Sequence, residues 1–246
     1  MRQLYEADRR KRGVCRLCGE RRQLTRTHVP AKSAGNDGYA QAPMIVTDDE
    51  GRETYGLGRK DLGGMWLRAF CGDCNNRTRV WDEEYVRWCP DLFNSLHDPR
   101  NKGNRLASRV FDCDPGAFVR CLWAWAFALS DTMLTRYPQI ANAVISGEPV
   151  APPHNSRMLL AATRDLQFGI QVLSYTIGVT APPFVALHVA QPAYSNLERG
   201  LFNTGLWLMQ PAGVRQTVEI ELPIVHTFDE DDLPPVGEPA LDPLVN

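Results

Sequence analysis

Cys15-Arg16-Leu17-Cys18-Gly19 and Cys71-Gly72-Asp73-Cys74-Asn75-Asn76-Arg77-Thr78 are the two stretches on which the fold of this chain turns. Each is a C-x-x-C pair followed at once by Gly19 or Asn75, a residue type that tolerates the tight turn needed to aim two thiolates at one ion. The remaining cysteines are Cys89, Cys113 and Cys121, which lie among apolar residues and read as core. Seven is an odd number, and the N-terminus MRQLYEADRRKRG has no apolar stretch resembling a secretory signal. A disulfide framework is therefore not expected. Two knuckles make a tetrahedral four-cysteine site for a structural Zn2+ the natural reading, with two unrelated reduced pairs as the alternative. The segment between Cys18 and Cys71 is longer than a simple zinc ribbon needs, so it must house something else.

That segment opens with Leu24-Thr25-Arg26-Thr27-His28-Val29-Pro30-Ala31-Lys32-Ser33. With the knuckles on either side, residues 13–90 resemble the HNH endonuclease family in its four-cysteine zinc form, which has a ββα-metal fold. His28 before Val29-Pro30 matches the position of the family's general base. Asn75 matches the His or Asn that ligates the catalytic ion, and Asn76 and Thr78 match the ending of one subgroup. The resemblance implies a structural Zn2+ on Cys15, Cys18, Cys71 and Cys74, and a catalytic Mg2+ or Mn2+ on Asn75, Thr27 and Asp37. The sequence departs from the family at Thr27, where active members carry Asp or Glu. The central Asn of the family has its best counterpart in Asn36, and Asp37 could supply the absent carboxylate.

Those residue types suit phosphodiester hydrolysis. The attacking hydroxide and the phosphate are both anionic, and the departing oxygen is a poor leaving group. A neutral His can take a proton from water near pH 7, and a divalent ion can offset the charge that builds on the phosphoryl and leaving oxygens. Arg26, Lys32, Arg77 and Arg79 are the residues expected to contact nucleic acid.

Charge is divided along the chain. Residues 1–110 carry 21 Lys and Arg against 15 Asp and Glu, and residues 111–246 carry 6 against 14. A basic first part beside an acidic second part suits a polyanionic partner, DNA above all, for the first part. The longest apolar run, residues 121–129, is about half the ~20 residues of a membrane span, so a cytoplasmic protein without membrane contact is expected.

Beyond the second knuckle, Trp81, Tyr85 and Trp88 recur at helical spacing and read as core rather than base-stacking residues, with Pro90 ending that helix. Residues 98–114 read as a loop that takes His97 into an exposed turn. Asp114-Pro115-Gly116 caps a helix over 116–136 that is apolar on nearly every side and hence buried, and a short amphipathic stretch follows at 139–145. Strands are expected at 158–163, 168–176, 184–190, 206–209 and 214–222, making an antiparallel sheet packed on the long helix. His188 and His226 read as structural.

The expected class is α+β. Residues 1–97 form a small ββα-metal zinc module with a basic N-terminal segment, and residues 98–228 a helix and antiparallel sheet domain of unknown role. Residues 229–246 form an acidic, Pro-rich tail that is expected to be mobile. The function this implies is a metal-dependent HNH-like endonuclease acting on DNA, in phage or bacterial DNA processing or defence. The alternative is a catalytically degenerate zinc-binding protein that binds nucleic acid or serves as a structural subunit. Cutting both strands at once needs two active sites, which points to a homodimer or a protein partner through residues 98–228.

Overall fold

The computed structural model describes residues 2–3, 11–47, 53–101, 103–164, 168–173, 176–190 and 201–225. Six strands come first: β1 (Arg2–Gln3), β2 (Arg12–Val14), β3 (Arg21–His28), β4 (Tyr39–Thr47), β5 (Glu53–Leu62) and β6 (Trp66–Cys71). They lead into the 26-residue α1 (Gly72–His97). β3 lies between β2 and β6 and is antiparallel to both, whereas β1, β4 and β5 form a sheet of their own. The β3–β6 ribbon with α1 is thus a ββα arrangement into which the long β4–β5 hairpin is inserted. The insertion leaves and returns at one point, since the N–H groups of Gly63 and Gly64 both donate to the Gly38 carbonyl, at 2.9 and 2.8 Å. Gly64 has φ +77°, and a Cβ there would lie 2.0 Å from the Asn36 carbonyl oxygen, so only glycine closes this junction.

α1 runs through Pro90 to His97 and does not end there as the sequence suggests. Tyr85, Trp88, Leu92 and Leu96 are buried at steps of three and four, so the apolar face continues past the proline. Pro90 sits on the exposed side, where water can satisfy the carbonyl it leaves without a donor. Tertiary burial outweighs a local cost of about 3 kcal/mol. His97 is the exposed last residue of the helix, stacked on Phe93.

The second half contains β7 (Arg105–Cys113), α2 (Pro115–Leu129), α3 (Met133–Arg136), α4 (Pro138–Ser146), β8 (Ser156–Ala162), β9 (Gly169–Leu173), β10 (Thr176–Ala181), β11 (Phe184–Ala190), β12 (Phe202–Asn203) and β13 (Gln216–Pro223). The expected loop at 98–114 is a loop only at its start. β7 buries Leu106, Val110 and Cys113 and pairs antiparallel with β13, more than a hundred residues away. The expected helix over 116–136 stops at Leu129, where Ser130 turns to extended backbone (φ −129°, ψ 131°) and its Oγ meets Thr132 Oγ1 at 3.1 Å, and Met133–Arg136 forms a separate short helix. Residues 206–209 are a 3-10 turn, Gly205–Met209, because Trp207 and Leu208 are both buried between exposed Leu206 and Met209, a pattern no strand produces. The expected strand over 168–176 covers β9 and the first residue of β10.

β12, β8, β11, β10 and β9 form a five-stranded antiparallel sheet, and α2 lies against it. Every residue of α2 is buried, as its apolar surface on all sides requires. Asp114 Oδ1 caps it by accepting from the Ala117 N–H at 2.8 Å. Phe118 is central, stacked on Trp88 of α1 with centroids 4.2 Å apart and edge-on to Phe184 of β11 at 5.2 Å. The chain is therefore α+β, with helices packed on antiparallel sheet. Among the described residues, no helix is long and apolar enough to cross a membrane. His226 and the acidic tail at 229–246 lie outside the described residues.

Candidate metal centre

The first knuckle is the turn between β2 and β3. The Gly19 N–H donates to the Cys15 carbonyl at 2.9 Å, with Gly19 at φ +76°, and the Cys15 N–H donates to the Glu20 carbonyl at 2.9 Å. Arg16 ties this turn to the rest of the protein, its backbone N–H to the Ala69 carbonyl of β6 and its guanidinium to the Ala128 carbonyl in the last turn of α2. The second knuckle is the junction of β6 and α1. There the Cys71 N–H donates to Cys15 Sγ at 3.3 Å, a bond across the two knuckles.

The Sγ atoms of Cys15, Cys18, Cys71 and Cys74 all lie within 4.8 Å of one another, and Cys18 and Cys71 are 4.0 Å apart. A zinc ion with Zn–S bonds of ~2.3 Å spaces its sulfurs about 3.8 Å apart, so the group is close to the tetrahedral edge length without a disulfide. Cys15, Cys71 and Cys74 are buried and Cys18 is half-buried. The hydrogen bond from Cys74, with backbone N–H groups of Cys18, Cys71 and Leu17, pulls the Cys15 thiol down to about 4. The same bond, together with burial, pushes Cys74 up, and burial pushes Cys18 up. Four sulfurs this close cannot all be anionic by themselves, and a dication replaces the protons they would otherwise keep. The donor set and spacing fit a structural metal such as zinc.

His28 ends β3, opposite Trp66 of β6. Its Nε2 is 3.2 Å from the Gly63 carbonyl oxygen. A carbonyl only accepts, so in the neutral ring Nε2–H donates, and the Nδ1 lone pair has no partner among the described residues. Burial lowers the pKa of His28 below the ordinary value, and the positive charges of Lys32 and Arg26 act in the same direction, against the Gly63 bond. Arg26 stacks over the Trp66 ring, 4.4 Å from its centroid.

Thr27 faces the other way, paired with buried Leu67. It is buried, and its Oγ1 has no hydrogen-bond partner. Asn75, in the first turn of α1, donates from Nδ2 to the Arg26 carbonyl at 3.3 Å, which leaves its Oδ1 for another group. Asn75 thus touches the backbone of Arg26, Thr27 lies on the face of β3 opposite His28, and no hydrogen bond among the described residues joins Thr27, His28, Asp37 and Asn75 to one another. Asp37 is exposed in the turn after Asn36, Lys32 is exposed on the short turn Lys32–Ala34, and Arg77 and Arg79 are on the solvent side of α1, Arg79 paired with Glu83 at 3.7 Å. Among the described residues, the four cysteines are the one group of three or more His, Cys, Asp or Glu side chains close enough to share an ion.

Asn36 ties down the loop that follows His28. It is buried, donates from Nδ2 to the Pro30 and Met65 carbonyls at 2.6 and 2.9 Å, and accepts from the Met65 N–H at 2.7 Å. The loop after β3 is thereby stitched to the strand that returns from the insertion. Sequence reasoning missed Trp66 as the partner of Arg26 and Gly63 as the partner of His28; the Gly63-Gly64 pair just before Trp66 was the available signal. Trp81, Tyr85 and Trp88 are core or packed on it, Trp81 donating to the Val144 carbonyl at 2.9 Å. His188 is buried and bonded to Ser156 Oγ at 2.7 Å, a structural pair.

Compared with protein-family models, curated proteins and solved structures, the chain matches none of them.

Proposed function

We propose that the protein is a metal-dependent, HNH-like endonuclease that hydrolyses phosphodiester bonds in DNA, in phage or bacterial DNA processing or defence. The observation that carries this reading is the placement of His28 on a ββα frame whose two knuckles bring four cysteines together. Its ring is held by the Gly63 carbonyl, burial lowers its pKa and so favours the neutral ring, and Nδ1, without a partner among the described residues, could take a proton from water. Arg26, Lys32, Arg77 and Arg79 supply positive charge for the phosphates on either side of the scissile bond.

The reading requires Mg2+ or Mn2+. Asn75 Oδ1 and Thr27 Oγ1 would hold it, with Asp37 as the carboxylate from the following loop. These are hard oxygen donors that suit such an ion in kind, but Thr27 Oγ1 is buried on the face of β3 opposite His28, so Thr27 would have to turn outward before an ion on it and His28 could act on one phosphate. When bound, the ion would offset the negative charge of the phosphoryl and leaving oxygens. His28 would move the proton, Asn36 would keep the loop that follows it in place, and the zinc would fix β3 against α1.

A second reading is favoured by one observation: a neutral Thr27 stands beside His28, and His28 and Asp37 belong to no larger group of metal-binding side chains among the described residues. In that reading the zinc fold binds nucleic acid, or serves as an assembly subunit, without cutting. Cleavage of supercoiled plasmid decides. The nuclease reading expects nicked or linear product with Mg2+ or Mn2+, none with EDTA, and a fall of at least about 10²-fold for His28→Ala. Since the lowered pKa keeps His28 neutral into mild acid, the acidic limb of the rate profile should lie below pH ~6.5. Zinc-loaded protein that binds DNA but leaves plasmid intact would establish the second reading.

A further inference from the structure

Beside the zinc cluster, on the side where α1 begins, is a solvent-open hollow of about 550 Å³ lined by Arg12, Arg21, Arg22, Gln23, Cys71, Gly72 and Asp73. The β2–β3 register explains why arginines converge there. Arg12 is opposite Gln23 and Val14 opposite Arg21, so Arg12, Gln23 and Arg21 share one face of the ladder, with Arg12 and Arg21 at diagonal positions. Arg22 is committed, bonded to Asp73 at 2.6 Å and to Glu20 at 2.5 Å. Arg12 and Arg21 are exposed and have no ion-pair partner among the described residues. Two like charges at diagonal positions repel each other, and an anion between them removes that repulsion. The floor is the first turn of α1, where the N-cap Cys71 contributes no side-chain acceptor to the open N–H groups.

We propose that this hollow is a phosphodiester-backbone subsite, separate from the His28 region, in which Arg12 and Arg21 hold the backbone of a bound polynucleotide. The proposal rests on the nucleic-acid reading above but not on cleavage. Continuity with the rest of the ribbon favours a polymer over a small anion. Arg21 precedes Thr27 by six residues on β3, roughly 20 Å at ~3.3 Å per residue, which is the span of about six nucleotides on one strand. The subsite anchors the duplex several nucleotides from the His28 region and so contributes affinity.

The test uses full-length, zinc-loaded protein and a fluorescein-labelled 20-bp duplex, followed by anisotropy without Mg2+ across a salt series. Arg12→Gln/Arg21→Gln should weaken binding about tenfold or more at ~0.1 M salt and lower the slope of log K against log salt by about 2, one for each phosphate no longer neutralised by an arginine. Arg12→Lys/Arg21→Lys should keep most of that slope. If wild-type protein binds and the Gln variant binds equally with an equal slope, the subsite is wrong while the nucleic-acid reading stands. If wild-type protein binds no DNA, that reading fails and the subsite with it. A Gln variant that sheds its zinc would assign the arginines to balancing the thiolates, and displacement of the duplex by inorganic phosphate at constant ionic strength would assign the hollow to a free anion; either overturns the proposal.

Discussion

Around Cys15–Cys18 and Cys71–Cys74, the chain is held largely by what its polar atoms do: an N–H to a sulfur, Asn36 to three backbone atoms, Asn75 to the Arg26 carbonyl. Around α2, fifteen consecutive residues are buried, and rings from α1, α2, β11 and the Gly205–Met209 turn stack on one another. Rigidity in the first region rests on individual hydrogen bonds and would gain from a metal on the four cysteines. Rigidity in the second is spread over many apolar neighbours, each adding a little. In the nuclease reading the difference suits the first region, where half-buried polar groups would have to stay accessible and still keep their positions.

The largest expected effect separates the two regions outright. Removing the metal with a chelator, or substituting Cys71→Ser, should abolish hydrogen-exchange protection in β3 and β6 while amides of α2 and β8 stay protected. Loss of protection in both together would show one cooperative unit and break the comparison. Next in size, Phe118→Ala removes the ring that touches Trp88, Tyr85, Phe184 and Trp207. Urea unfolding should show about 3–5 kcal/mol lost, with zinc content unchanged.

Asn36→Ala should cost about 2–3 kcal/mol, because it strands the Met65 N–H and the Pro30 carbonyl in a buried site, while the Met65 carbonyl keeps the Val29 N–H. In the nuclease reading it should also slow cleavage far more than it weakens DNA binding, since Asn36 holds Pro30, two residues after His28, to the returning strand at Met65. The smallest effect depends on pH. Burial pushes the Asp82 carboxyl up to about 7, against hydrogen bonds from Cys121 and Trp125. The unfolded chain loses this proton near pH 4 and the folded protein near pH 7, so stability should fall as pH rises between those values and level off above. Asp82→Asn should flatten that slope and, at pH 8, be more stable than wild type by on the order of 2 kcal/mol in urea unfolding.

Much of this organisation was legible from residue spacing. The paired C-x-x-C motifs announced the cluster, because thiolates that share an ion must come from tight turns, and the all-round apolarity of 115–129 announced a buried helix. Asp114-Pro115 marked its start correctly, since capping is local chemistry. What could not be read depended on neighbours distant in sequence. Pro90 reads as a stop because a proline's local cost is visible in the sequence, whereas the burial of Leu92 and Leu96 that outweighs it is supplied by the rest of the fold. β7 was hidden because its partner β13 lies in another part of the chain, although Leu106, Ser108 and Val110 carry the alternation. At the site, His28 could be picked out by its neighbours, whereas its carbonyl partner at Gly63 depends on how the insertion closes.

The junction at Gly38 has a consequence of another kind. Because the β4–β5 hairpin departs and rejoins at a single carbonyl, its length bears little on the closure of the ββα frame, although β4 also pairs with β1 and packs on β9. Closure entropy changes by only about 0.6 kcal/mol for each doubling of a loop. The segment is therefore a natural port for engineering: replacing the residues between Gly38 and Gly63 with a tag, a reporter domain or a short linker should leave Asn36, Gly64 and the four cysteines where they are.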